Sequence, residues 1–185
     1  MQAECQKNLE KQYPAQVRRL MDEYARFLEQ ADIFYQFTNS QLDLVADLCQ
    51  EQTYQNGETI FFEGSKSDEL YIILQGEVDI ILDPSLVSNR EEDEIQSVTV
   101  ATLRRGQSFG EIALVDQGVR SATTRAAQNN TRLLVIPRQG IINLCISDPQ
   151  LGYLLMRNLA ADLALKIRNT DLRIRGGLFY TGIDK

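Results

Sequence analysis

No histidine occurs among the 185 residues. That removes the usual general base, the histidine-based zinc sites and every Ser-His or Cys-His pair, so hydrolytic or metal-dependent catalysis is not expected. Cysteine is scarce: Cys5, Cys49 and Cys145 are widely spaced, odd in number and without a Cys-x-x-Cys pair. Neither a disulfide framework nor a cysteine metal site follows, and the thiols read as buried or inert. Basic residues are outnumbered 19 to 26, for a formal net charge of −7, which disfavours general attraction to nucleic acid or to an anionic membrane. Any bound anion must be held locally. Long apolar runs are missing too: LYIIL near residue 70 and LLVI near residue 133 are strand length, short of a membrane span or a signal-peptide core. A cytoplasmic location with no membrane contact is the expectation.

What is present suffices for one domain with helical extensions. VRRLMDEYARFLEQ sets Val17, Leu20, Met21, Tyr24, Phe27 and Leu28 at i, i+3, i+4, i+7 spacing, which predicts an amphipathic helix. A second follows the cap residues Thr38 to Ser40, with Leu42, Val45, Ala46 and Cys49 inward. From Tyr54 the chain changes to short apolar or alternating runs, namely ETIFFEG, LYIILQGEVDIIL, SVTVATL, ATTRAA and RLLVIPR, punctuated by Gly57, Gly64, Gly76 and Gly106. A closed or two-sheet antiparallel β structure is predicted. The acidic stretch from Asp83 to Gln96 reads as an exposed hairpin loop. Beyond Pro149 a long helix is expected, ended by Gly176-Gly177 and followed by an apolar tail, LFYTGI. In it Met156, Ala160, Leu163, Ile167, Thr170 and Ile174 form a seam that either packs on the β core or pairs with a partner helix. Lys166, Arg168, Arg173 and Arg175 of the same helix read as a solvated face.

The most informative stretch is FGEIALVDQGVRSATTRA, residues 109–126. Gly110 lets the backbone approach a ligand, and the first amides of a turn at Glu111-Ile112-Ala113 are free to bind an anion. Arg120 can grip a phosphate through two hydrogen bonds, and the small Ser121 and Ala122 leave their amides accessible. Glu111 would repel a phosphate unless it accepted a hydroxyl from the same ligand while Arg120 offset the charge. A 3′,5′-cyclic nucleotide, with its 2′-hydroxyl beside the ring phosphate, meets both demands. A Glu111 to Arg120 salt bridge closing a β turn satisfies the same spacing without any ligand.

This stretch resembles the phosphate-binding cassette of the cyclic nucleotide-binding domain family, and NGETIFFEGSKSDELYIILQGEVDI is similar to that family's first strands. The resemblance runs from about Leu42 to Arg175. It implies a mainly β fold with flanking helices, an antiparallel, jelly-roll-like β roll with N-terminal helices and a long C-terminal lid helix. It divides the chain into an N-terminal extension (1–37), the β roll with its helices (38–148) and the lid or dimerisation helix with its tail (149–185). By the same resemblance Glu111 accepts the ribose 2′-hydroxyl and Arg120 holds the cyclic phosphate, aided by Gly110, by the amides of Ile112, Ala113 and Ala122 and by the Ser121 hydroxyl. Val100 and Ala101 line the base pocket, and Thr170 and Asp171 reach the base from the lid helix. Ser121 after the arginine favours cAMP over cGMP.

The chain ends ten residues after Arg175 without a helix-turn-helix, so direct DNA binding is not expected. The reading is a non-enzymatic receptor or regulatory module with a cyclic nucleotide as ligand and no cofactor. It would form a homodimer through the C-terminal helix and pass its signal to a protein effector. The alternative is a dimerisation or docking module on the same fold that binds no nucleotide. Phe179 and Tyr180 are either base-stacking residues or simple packing.

Overall fold

The computed structural model describes residues 15–82, 97–116 and 119–180. The expected loop at 83–96 and the end of the tail lie outside them. In chain order the elements are α1 (Ala15–Leu28), a short 3-10 helix (Asp32–Phe34), α2 (Asn39–Ala46), β1 (Gln50–Tyr54), β2 (Thr59–Phe61), β3 (Leu70–Gln75), β4 (Glu77–Leu82), β5 (Val98–Arg104), β6 (Ser108–Phe109), α3 (Glu111–Asp116), β7 (Thr123–Ala126), β8 (Thr131–Ile136), α4 (Arg138–Ser147) and α5 (Pro149–Tyr180). The strands make two antiparallel four-stranded sheets, ordered β1-β8-β3-β6 and β2-β7-β4-β5. This is the antiparallel β roll with flanking helices that the sequence leads one to expect.

The first sheet is covered on both faces, which explains why LYIIL is apolar throughout instead of alternating. Leu70, Ile72 and Leu74 of β3, with Leu134 and Ile136 of β8, pack among the helices. Their neighbours Tyr71, Ile73, Leu133 and Val135 face the second sheet, against Phe61, Val78 and Leu103. The helices are tied down by their caps. Thr38 and Gln41 form a reciprocal capping box at α2. The Asp148 carboxylate accepts from the Gln150 and Leu151 amides at the start of α5, where Pro149 occupies the first turn at no hydrogen-bonding cost. Farther along α5, the Asn158 amide donates to the carbonyls of Ile33 and Tyr35, at 3.1 and 2.8 Å, fixing the long helix against the 3-10 turn.

Three features depart from the sequence reading. β1 begins at Gln50, four residues before the apparent change of pattern at Tyr54; QEQTY hides its strand character because three of its five residues are exposed. Leu20, expected on the inward face of α1, is 42 % exposed, whereas Tyr24, Phe27 and Leu28 are buried. Helix α5 runs through Gly176-Gly177 to Tyr180. Glycine ends a helix only by turning left-handed, and in the helical conformation it merely costs about 1 kcal/mol relative to alanine.

Among the described cysteines, burial pushes the Cys49 thiol up to about 12 and raises that of Cys145, in keeping with inert thiols. Cys5 lies outside the described residues.

A cross-link between α1 and the first sheet gives a pH-dependent contribution. Glu51 on β1 receives the Arg132 guanidinium at 2.6 and 2.9 Å and the Tyr24 hydroxyl at 2.9 Å. The hydrogen bonds from Arg132, seconded by Tyr24, hold its carboxyl below the ordinary value of 4.5 in spite of partial burial. A carboxylate with a depressed folded pKa contributes stability that is complete above its unfolded pKa and is lost as pH falls through the folded one. Between about pH 6 and pH 3 the wild type should therefore lose roughly 1 kcal/mol more stability than Glu51→Gln, read from urea denaturation across that range.

Candidate ligand-binding site

The cassette forms where the turn after β2, the end of β6 and the start of β7 meet. The Gly64 amide donates to the Arg120 carbonyl at 2.8 Å, and the Arg120 amide to the Ser65 carbonyl at 3.0 Å, so the turn after β2 fixes the arginine's backbone. Its side chain, 1 % exposed, extends beneath the cassette. Nε donates to Ser67 Oγ at 2.7 Å, Nη1 to the Gly110 carbonyl at 3.0 Å, and Nη2 to both the Glu69 carbonyl and Glu69 Oε2, at 2.9 and 3.2 Å. One of the five guanidinium hydrogens, on Nη1, stays uncommitted among the described residues. The Phe61 ring lies 4.1 Å from Cζ and the Tyr71 ring 5.5 Å, so the cation rests on aromatic faces. Burial lowers the Arg120 pKa, and the charges of Tyr71 and Glu69 oppose that shift. Gly110 has φ +81°, and a Cβ there would come within 2.6 Å of Arg120 Nη1 and 2.9 Å of the Glu69 carbonyl. Glycine is needed at this point for both conformation and room.

Glu111 opens α3 and is 5 % exposed. Its partner is Lys166 of α5, whose Nζ lies 2.9 Å from Glu111 Oε1, 2.9 Å from the Ser108 carbonyl and 2.7 Å from Asp162 Oδ2. Glu111 Oε2 makes no hydrogen bond to any described residue. The salt bridge between Glu111 and Arg120, one of the two arrangements allowed by their spacing, is not what forms. Arg120 pairs with Glu69 and Glu111 with Lys166, leaving both at the wall of a shared cavity of about 410 Å³.

That cavity lies between the inner face of the second sheet, the cassette and α5. Of the sequence-predicted residues, Val100, Ala101, Gly110, Glu111, Ile112, Arg120, Ser121, Ala122 and Thr170 line it. Ala113 follows Ile112 in the first turn of α3, whose leading amides have no intrahelical acceptor. Asp171 is exposed and is not among the lining residues.

Sequence reasoning missed Ser67 and Glu69, which hold the arginine from more than fifty residues away, and Thr124 on β7. It also placed Lys166 on a solvated face, whereas the structure aims that ammonium at Glu111, with 29 % of the side chain exposed. Lys166 follows Asp162 by four residues, and such an i, i+4 acid–base pair is equally at home on a solvated helix face, so the spacing did not reveal that this cation faces inward.

The seam expected along α5 does not pack on the core. Leu151, Leu154, Leu155 and Leu159 do so, while Met156, Ala160, Ile167 and Thr170 are exposed and Leu163 is half-buried. Among the described residues no helix is long and apolar enough to cross a membrane, and no group of three or more His, Cys, Asp or Glu side chains could hold a metal ion.

A two-sheet roll with a long helix lying over a cassette of this build defines a class of ligand-binding domain. The family model for the cyclic nucleotide-binding domain matches residues 51–148, and the chain belongs to that family. It is 31 % identical over 142 residues, 77 % of its length, to the cyclic AMP receptor protein of Thermus thermophilus, and 30 % identical over 118 residues to cGMP-dependent protein kinase 2 of Mus musculus. The chain spans 60 % of the first relative and 15 % of the second. A cyclic nucleotide-binding domain from Methylobacillus flagellatus shares the fold with a TM-score of 0.71 at 24 % identity, over 86 % of this chain and 84 % of that one.

Proposed function

We propose that the chain is a receptor or regulatory module that binds a 3′,5′-cyclic nucleotide, cAMP in preference to cGMP, and signals by repositioning α5. One observation carries the reading: Glu111 and Arg120 open onto a single cavity, and the long helix that covers it is bonded to Glu111 through Lys166. Glu111 Oε2 accepts the ribose 2′-hydroxyl. The uncommitted Nη1 hydrogen of Arg120, the Ser121 hydroxyl and the amides of Ile112, Ala113 and Ala122 take the cyclic phosphate. The base lies toward Val100 and Ala101, under Thr170. Ser121 after the arginine supports the preference for cAMP.

The protein acts by binding rather than turnover. Because Lys166 touches Glu111, a ligand that engages Glu111 also acts on α5, and it shifts the helix only by its differential affinity for the two positions. The exposed row of Met156, Ala160 and Ile167 supports a homodimer through α5, with a protein effector receiving the signal. Hydrogen exchange with and without excess cAMP tests the proposal. The expected result is slower exchange at residues 108–116 and 119–122 together with altered exchange at 162–170; unchanged exchange in both segments would refute it.

A further inference from the structure

Thr124 stands out on the inner face of the second sheet. In register across four strands, Phe61 of β2, Thr124 of β7, Ile80 of β4 and Ala101 of β5 form one row, and all four line the cavity. Three are apolar. Thr124 is 2 % exposed, and its hydroxyl makes no hydrogen bond to any described residue. A buried hydroxyl without a partner costs free energy that a valine of nearly the same shape would not. Thr124 lines the cavity, so its unpartnered hydroxyl is available to a molecule bound there.

Its place in the row indicates which part of that molecule it meets. Arg120 and Glu111 mark the phosphate and sugar end, with Gly110 between them bonded to the guanidinium. Arg120, Ala122 and Thr124 are all buried and line the cavity in turn along the chain, Arg120 at its phosphate end and Thr124 already within β7, on the row that leads across to Ile80 and Ala101. The neighbours on the far side, Ile80 and Ala101, offer apolar surface suited to a purine face.

We propose that Thr124 Oγ1 hydrogen-bonds a polar atom on the edge of the purine base and sets the selectivity between cyclic nucleotides. This rests on the nucleotide-binding reading given above. A hydroxyl that can donate and accept does not choose a base by its own chemistry; it chooses by which edge atom the pocket presents to it, so its removal should be felt unequally by adenine and guanine.

The experiment is calorimetric titration of the full chain with cAMP, cGMP and the cyclic monophosphate of unsubstituted purine riboside, for wild type, Thr124→Val and Thr124→Ser, with melting curves of each free protein. Thr124→Val should weaken the preferred nucleotide by about tenfold and the other by less than about threefold, while the free protein melts at or above the wild-type temperature. Thr124→Ser should stay within about threefold of wild type for both nucleotides. Equal weakening of all three ligands would place the hydroxyl on sugar or phosphate and overturn the proposal, as would unchanged affinities. Failure of the wild type to bind any of the three would instead refute the reading beneath it, with no variant involved.

Discussion

Arg120→Ala is expected to lower affinity for cAMP by about a hundredfold, because the charge-assisted hydrogen bond from Nη1 to the phosphate contributes roughly 1.5–3 kcal/mol and the attraction between the two charges adds to it. The same change should destabilise the free protein. Arg120 joins Ser67 and Glu69, in the connection between β2 and β3, to the Gly110 carbonyl after β6, and its guanidinium rests on Phe61. Removing it leaves the Glu69 carboxylate and two carbonyls short of donors in a half-buried setting, at a cost of about 3 kcal/mol or more. Arg120→Lys separates the two effects. It keeps the charge and part of the packing but loses the planar fork that reaches Ser67, Gly110 and Glu69 together. The lysine variant should recover part of the stability and little of the affinity. Calorimetry alongside thermal denaturation reads both, and an alanine variant that is folded and binds within threefold of wild type would remove Arg120 from the site.

Glu111→Gln is expected to weaken cAMP binding by about tenfold or more while leaving the fold intact, since glutamine keeps the shape and loses the charged acceptor. The loss should depend on the ligand's hydroxyl. Wild type and variant should bind 2′-deoxy-cAMP with nearly equal affinity, because that ligand has nothing to donate to Glu111. A uniform loss across both ligands would mean that Glu111 acts only by holding Lys166 and α5. In the free protein the variant also weakens the tie from the cassette to α5, leaving Lys166 with Asp162 and the Ser108 carbonyl. Exchange at α5 should therefore rise in the variant before any ligand is added.

How far the sequence revealed this depends on the distance over which each feature is determined. The cassette was legible because its parts are local: Gly110, Glu111, Arg120 and the small residues after it lie within a dozen positions, where a family resemblance can be read, although their spacing alone also allowed an ion pair without a ligand. The capping box at Thr38 and the strands of the second sheet were legible for the same reason. The partners were not. Glu69 and Ser67 reach Arg120 across 51 and 53 positions, and Lys166 reaches Glu111 across 55, so nothing in the local spacing distinguishes them from surface residues. The seam on α5 left core packing and pairing with a partner helix both open, because heptad spacing shows that one face is apolar without saying what covers it. Thr124 was hidden in ATTRAA, where a threonine in a strand is unremarkable until the register sets it between Phe61 and Ile80 above a cavity.

The most direct test of the central claim is calorimetric titration of cAMP, and then cGMP, into nucleotide-stripped wild-type protein. Saturable binding at one nucleotide per chain, tighter for cAMP, is the predicted result. No heat and no change in melting temperature with either nucleotide would contradict it, and would leave Glu111 with Lys166 and Arg120 with Glu69 as ion pairs that only hold the fold together.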